Sequence, residues 1–240
     1  MNKSFVIASF ALFISVICTN ASAAEFIGHN TTYNIPGHVN GVSVDNLQQG
    51  LNALKDVSIA PDVMVTLRLN QDYSDSSEIV VSNPNGDRIK IDGNNHSITF
   101  HKNGIVIDHG HVLGLVDNLT LKLKRFGGVG CAIKSDHGSF ARVGRGVKTL
   151  GFQYGGVCAL NDSLVIVTSG MDASHSCSAT SSTFCAGFRA QEHSTIIANG
   201  TISSFNKNGY FAYNDSRIYA YRSSASNNRY SNYDGAGVAH

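Results

Sequence analysis

The chain has 240 residues, 42% hydrophobic and only 15% charged, and its 18 basic and 17 acidic side chains leave a formal charge of +1. That balance excludes a disordered chain, a coiled coil and a basic nucleic-acid binder, and it gives no field that would hold the protein on an anionic membrane surface. The 24 glycines beside 3 prolines suit a turn-rich β protein, and the length suffices to bury a sizeable core.

Residues 1–23 read as a secretory signal peptide. Lys3 supplies the positive end, residues 5–18 form an apolar run of 14, and Ala21-Ser22-Ala23 offers the small residues that a signal peptidase accepts. The run is shorter than the ~20 residues of a bilayer span. Ile17 before Cys18 does not suit lipid attachment. Cleavage after Ala23 would leave 217 residues in a secreted or periplasmic, disulfide-permissive space, with no stable membrane insertion.

Residues 24–42 read as a polar lead. Over 43–57, Leu47, Leu51 and Leu54 share one helical face, with Ser43 as the expected N-cap. From residue 63 the pattern turns to short β runs, such as 64–69, 79–81, 89–91 and 98–100, broken by Asn, Asp and Gly.

A repeat emerges when the chain is anchored on Gly104, Gly130, Gly156, Gly187, Gly209 and Gly235, with spacings of 26, 26, 31, 22 and 26. One position after the first five come Ile105, Cys131, Val157, Phe188 and Tyr210, and three positions after come Ile107, Ile133, Ala159, Ala190 and Ala212. Nine positions after stand Leu113, Ser139, Val165, Ile196 and Ile218, and eleven after stand Leu115, Ala141, Val167, Ala198 and Ala220. These small or aliphatic columns share parity, as one buried strand face requires. Asn161-Asp162-Ser163 and Asn214-Asp215-Ser216 read as the same turn in two rungs. The reading is an all-β parallel solenoid of roughly seven rungs and about 34 Å, preferred over a sandwich with coincidental glycines.

The leading helix, the Asn83-Pro84-Asn85-Gly86-Asp87-Arg88-Ile89 turn and strand, and the Gly-x-x-Ala-x-x-x-Ser-x-Ile pattern at Gly187 and Gly209 resemble the right-handed parallel β-helix, or pectate-lyase-like, superfamily. The nearest likeness is to phage tail spikes and secreted bacterial surface proteins. The resemblance implies a single-stranded β-helix over 43–240, with the helix at 43–57 plugging the first rung. Such folds include lyases, hydrolases and non-enzymes, so the likeness alone assigns no activity.

Beyond the leader, four cysteines remain. Cys177 and Cys185 are expected to bridge, a short closure contributing roughly 2.5 kcal/mol. In the glycine register Cys131 points inward and Cys158 outward, so no bridge is expected between them and Cys131 reads as a buried thiol. No cysteine pair has zinc-site spacing.

Candidate chemistry is sparse. Arg88-Ile89-Lys90 and Gly110-His111 resemble fragments of polygalacturonase motifs, and Ile107-Asp108-His109 one of pectate lyases, but each lacks its companion residues. Glycoside hydrolysis needs two carboxyl groups about 5–9.5 Å apart. Asp136 and Asp162 are the best pair, placed one over the other by the glycine register, with Asp215 further along and His193 between. Under a lyase or hydrolase reading they would be the acid/base pair, with calcium the one cofactor to consider. His109, His111, His137 and His193 read as turn residues, with His111 and His137 in one column and no metal expected.

Six of the nine tyrosines fall between Tyr210 and Tyr233. By parity Phe211, Tyr213, Tyr219 and Tyr221 face outward, with Arg217 and Arg222 nearby. Such a shelf suits stacking on sugar rings and hydrogen bonding to hydroxyls or uronates. The last rung has no capping helix, which leads us to expect either homo-oligomers through that end or a truncated relative of a longer protein. The leading expectation is a non-catalytic secreted module that binds a polysaccharide or cell-surface glycan. The alternatives are a polysaccharide lyase or glycoside hydrolase, and a spike-like assembly subunit.

Overall fold

The computed structural model describes residues 25–124, 130–176 and 185–240, without the side chains of Asp75 and Ser76. The leader at 1–23 lies outside the described residues. The chain winds into a β-solenoid of about seven turns, in which each turn visits three faces. One face is a nine-stranded parallel sheet from Thr31–Ile35 through Val65–Leu69, Ile89–Asp92, Val112–Asp117, Phe140–Val143, Leu164–Val167, Thr195–Ala198 and Arg217–Tyr219 to Val238–Ala239. The second has seven parallel strands, from Ile79–Val81 through Ile105–Ile107, Cys131–Ser135, Gly155–Ala159, Ala186–Gln191 and Asn208–Tyr213 to Ser231–Asp234. The third runs over Tyr73–Ser76, Ser97–Phe100, Thr120–Leu123 and Lys148–Leu150, passes through single bridges at Asp172, and ends with Ile202–Ser204 and Ser224–Ser226. Parallel neighbours need a long crossover, and here the other two faces of the turn supply it.

The observed pairing sets the columns. Ile79, Ile105, Ile133, Val157, Phe188, Tyr210 and Tyr233 stack along the second face. Ala141, Val165, Ile196 and Ile218 stack along the nine-stranded face, as do Val143, Val167 and Ala198. Four expected anchors, Gly104, Gly156, Gly187 and Gly209, do share one column. Ala132 fills that column between Gly104 and Gly156, two residues beyond Gly130, and Asn232 fills it after Gly209, three residues before Gly235. Ala141 and Val143 therefore replace the expected Ser139 and Ala141. A bulge at Gly114, where a Cβ would lie 2.3 Å from the Asp87 carbonyl, turns Val116 inward in place of Leu115.

The anchor column is small because its residues face across a narrow interior. A Cβ on Gly187 would lie 2.0 Å from Ser203 Oγ, and one on Gly156 2.5 Å from Thr149 Oγ1. Ala132 and the next residue, Ile133, both enter the main core, so strand alternation breaks at this corner. That break overturns the expected separation of Cys131 and Cys158. Cys131 precedes the anchor column and faces outward, on the same side as Cys158. The two are disulfide-bonded with Cα atoms 6.1 Å apart, packed with Leu160 and Tyr154 in a cluster apart from the main core. Gly155 stands beside Cys131 in the neighbouring strand, and a Cβ there would come 2.6 Å from Cys158 Sγ, so glycine leaves the crossing open. Cys185 is also disulfide-bonded, whereas its expected partner Cys177 lies outside the described residues.

The α-helix is shorter than expected, Leu47–Ala53, and Asn46 caps it by accepting from the Gln49 N–H at 3.0 Å. Gln49 Oε1 in turn accepts from the Asp45 N–H just before the cap, and the two bonds fix the start here. Ser43 instead lies in Val42–Val44, paired antiparallel with Gly37–Val39. Leu47, Leu51 and Leu54 are buried as expected. A Cβ on Gly50 would lie 2.7 Å from Ile35, so the helix backbone rests directly on the first strand of the nine-stranded sheet. The Asn83–Arg88 turn ties the helix down: Asn83 donates to the Leu51 carbonyl, Asn85 to that of Val57 and Arg88 to that of Ile59. The stretch read as a polar lead joins the first turn, since Phe26–Ile27 pairs with Ser58–Ile59 and Thr31–Ile35 with Val65–Leu69.

The corner between the second and nine-stranded faces repeats closely. His109-Gly110, His137-Gly138, Asn161-Asp162, Glu192-His193 and Asn214-Asp215 each hold two consecutive residues at positive φ. Behind them the buried hydroxyls of Ser139, Ser163, Ser194 and Ser216 accept backbone N–H bonds from Gly110, Ser139, Ser163 and Ser194 in turn, at 3.1–3.2 Å. Ser194→Ala would strand the buried Ser163 N–H, and we expect a loss of about 1–3 kcal/mol in chemical denaturation. The double substitution Cys131→Ala, Cys158→Ala releases a 27-residue closure and is expected to cost about 3.5 kcal/mol in the same assay. An unchanged midpoint in either case would count against the corresponding contact.

Candidate functional site

The expected aromatic shelf divides between two faces. Phe211 and Tyr213 stand on the second face with ring centroids 6.3 Å apart, and Tyr219 and Tyr221 pair at the same distance on and just past the nine-stranded face. The Asn214-Asp215-Ser216 turn separates the pairs. Tyr213 and Tyr221 are each 51% exposed, Tyr219 is half-buried and Arg217 is exposed. Phe211 is only 7% exposed, a correction to the outward reading. Its strand neighbour is Arg189, whose guanidinium lies 5.9 Å from its ring, so outward direction does not bring exposure.

Tyr213 and Arg217 line one cleft of about 380 Å³ at the corner, together with Asp215, Gly235 and Gly237. Phe211, Tyr219 and Tyr221 do not line it. A second group on the same face escaped the sequence reading. Arg189 stacks its guanidinium 3.6 Å from the Tyr154 ring and donates to Tyr154 Oη at 2.8 Å and to Gln191 Oε1 at 2.5 Å. Its signal was present, since Arg189 stands between Cys158 and Phe211 in one outward column. Arg189 and Gln191 stand beside Phe211 and Tyr213 in the neighbouring strand.

The carboxylates fall differently from expectation. The two-residue shift at Gly130 carries Asp136 out of the Asp162 column and into line with Asp108 and Leu160. Asp162 keeps its place with His193, which lies 3.9 Å from both Asp162 and Asp215. Burial pushes the Asp136 carboxyl upward, but the Lys134 ammonium at 2.6 Å and the Asn161 amide at 2.7 Å outweigh it and hold the carboxyl below its usual range. It is therefore a matched carboxylate at neutral pH, poorly suited to donate a proton.

The same shift stacks His137 on His109 and not on His111, with ring centroids 5.5 Å apart and planes 21° from parallel. His137 Nδ1 lies 2.8 Å from Asp108 and 3.4 Å from Asp136. The hydrogen bond to Asp108, then the charge of Asp136, raise the His137 pKa. Asp108, Asp136 and His137 bring their ligand atoms within 4.8 Å of one another.

No family model, curated protein or solved structure matches the chain. Among the described residues no helix is long and apolar enough to cross a membrane.

Since the His137 pKa is raised on folding, its ion pair contributes below the unfolded value and fades as pH rises through the folded one. An NMR titration is expected to place His137 above the ordinary histidine value, with Asp108→Asn lowering it again. A titration that Asp108→Asn leaves unmoved would remove Asp108 as the cause.

Proposed function

We propose that this chain is a secreted or periplasmic β-helix module of the pectate-lyase-like type that binds a polysaccharide or cell-surface glycan without transforming it. The observation that carries the reading is the corner cleft, lined by Tyr213 and Arg217 together with Gly235 and Gly237, whose backbone packs closely on the Ala212 and Ser216 carbonyls. An exposed aromatic ring suits the apolar face of a sugar, and a guanidinium suits its hydroxyls or a uronate carboxylate. The rigidity of stacked turns lowers the ordering cost of holding such groups in place. Bonded Cys131, Cys158 and Cys185 support an oxidising compartment.

A lyase or hydrolase is less well supported, because Asp136 stands in a different column from Asp162 and is neutralised by Lys134. The half-buried Tyr219 and the exposed Tyr221 form a separate pair, suited to a subunit contact or a longer glycan.

A glycan array followed by calorimetry on acidic and neutral oligosaccharides tests the proposal. Tyr213→Ala and Arg217→Ala are each expected to weaken binding at least tenfold, whereas Tyr230→Ala leaves it unchanged. Binding indifferent to both cleft substitutions would defeat the site, and release of reducing ends or unsaturated products would replace the module reading with an enzyme.

A further inference from the structure

The histidine pair at the corner of the second and third described turns of this face stands apart from the glycan cleft. His109 and His137 occupy equivalent turn positions at φ 56° and 47°, each followed by a glycine that is also at positive φ. The Gly110 N–H donates to the His137 carbonyl at 3.0 Å, so the two turns lie directly over each other. Both imidazoles project outward, with side chains 80% and 56% exposed.

Asp108 sets the His137 ring and lies beside that of His109. One of its oxygens lies 2.8 Å from His137 Nδ1 and accepts the His109 backbone N–H, and the other lies 3.4 Å from His109 Nδ1. The hydrogen bond favours the Nδ1–H tautomer of His137, which leaves its Nε2 lone pair for a ligand, and the exposed His109 ring can turn its own Nε2 to the same side. Carboxylate–imidazole orientation of this kind is what metal-binding histidines use to fix tautomer and raise ligand basicity. Lys134 and Asn161 occupy Asp136, which leaves that carboxylate a supporting charge rather than a ligand.

The geometry points to a surface site for a borderline divalent transition metal, Zn²⁺, Ni²⁺ or Cu²⁺, held by the Nε2 atoms of His109 and His137 with water completing the shell. Paired imidazoles select these ions over Ca²⁺ and Mg²⁺, which require oxygen ligands. Metal–nitrogen bonds of about 2.0–2.1 Å need the two Nε2 atoms within roughly 4.1 Å. Rings 5.5 Å apart at their centres and tilted by 21° reach that separation through small rotations of exposed side chains. Binding displaces protons or water from Nε2 while Nδ1 stays on Asp108, so affinity falls as acid protonates the imidazoles.

Calorimetric titration of the mature protein with Zn²⁺ alone, and electron paramagnetic resonance with Cu²⁺ alone, test this. We expect one equivalent bound, with nitrogen hyperfine structure from two imidazoles, and no competition from millimolar Ca²⁺. His109→Asn and His137→Asn, which keep a residue tolerant of positive φ, should each weaken binding at least tenfold. Asp108→Asn should weaken it about 10–100-fold. His111→Asn and His193→Asn should leave it unchanged. In the unsubstituted protein, Zn²⁺ should shift the imidazole NMR signals of His109 and His137 before those of the other histidines, a readout that needs no variant to fold. Absence of the one-equivalent site, or a site that persists in His109→Asn and His137→Asn, overturns the proposal.

Discussion

Hydrogen-bonded register between successive turns is the constraint on which the molecule depends. Each strand meets its equivalent one turn away, so a residue's environment is fixed by the residue directly above or below it as much as by its own neighbours in sequence. A shift of two residues in one turn exchanges partners along its whole length, and that shift moves Asp136 from Asp162 to Asp108 and His137 from His111 to His109. Chemistry on such a surface is a matter of columns. Two moderately interesting side chains acquire a joint role only when the ladder places them within one turn's rise.

The fold was legible because several independent signals repeat at compatible intervals. Asn161-Asp162 and Asn214-Asp215 announced a corner, since Asn and Asp tolerate positive φ, and the leucines of the helix announced its buried face. What misled the glycine register was the equivalence of Ala132 with glycine in a narrow interior: smallness is what the column requires, and Gly130 lay close enough to pass for it. Alternation failed for a related reason. At the anchor column the chain turns a corner, so two successive residues face inward, a break no period-two rule contains. The helix start was misplaced because the bonds of Gln49 to Asn46 and Asp45 form a cap that outweighs a serine three residues before Asn46.

The candidate site was less legible than the fold. Outward direction was read for Phe211, yet exposure depends on what stands in the adjacent column, and Arg189 with Tyr154 fills that space. Tyr213 and Arg217 come together only because the intervening turn reverses the chain around the corner, which parity alone does not describe. The histidine pair was present as two letters in two rungs, but the orientation of the His137 ring depends on Asp108, which lies beside both rings.

The Cys131–Cys158 crosslink joins two turns well inside the rod. Solenoids hold together through nearest-neighbour interfaces, and their terminal turns have only one such neighbour. Under mechanical load or mild denaturant, separation of one turn from the next would stop where it met this clasp or the further disulfide at Cys185. The covalent tie thus holds the His137 turn against the one that follows it even where the hydrogen-bonded ladder opens.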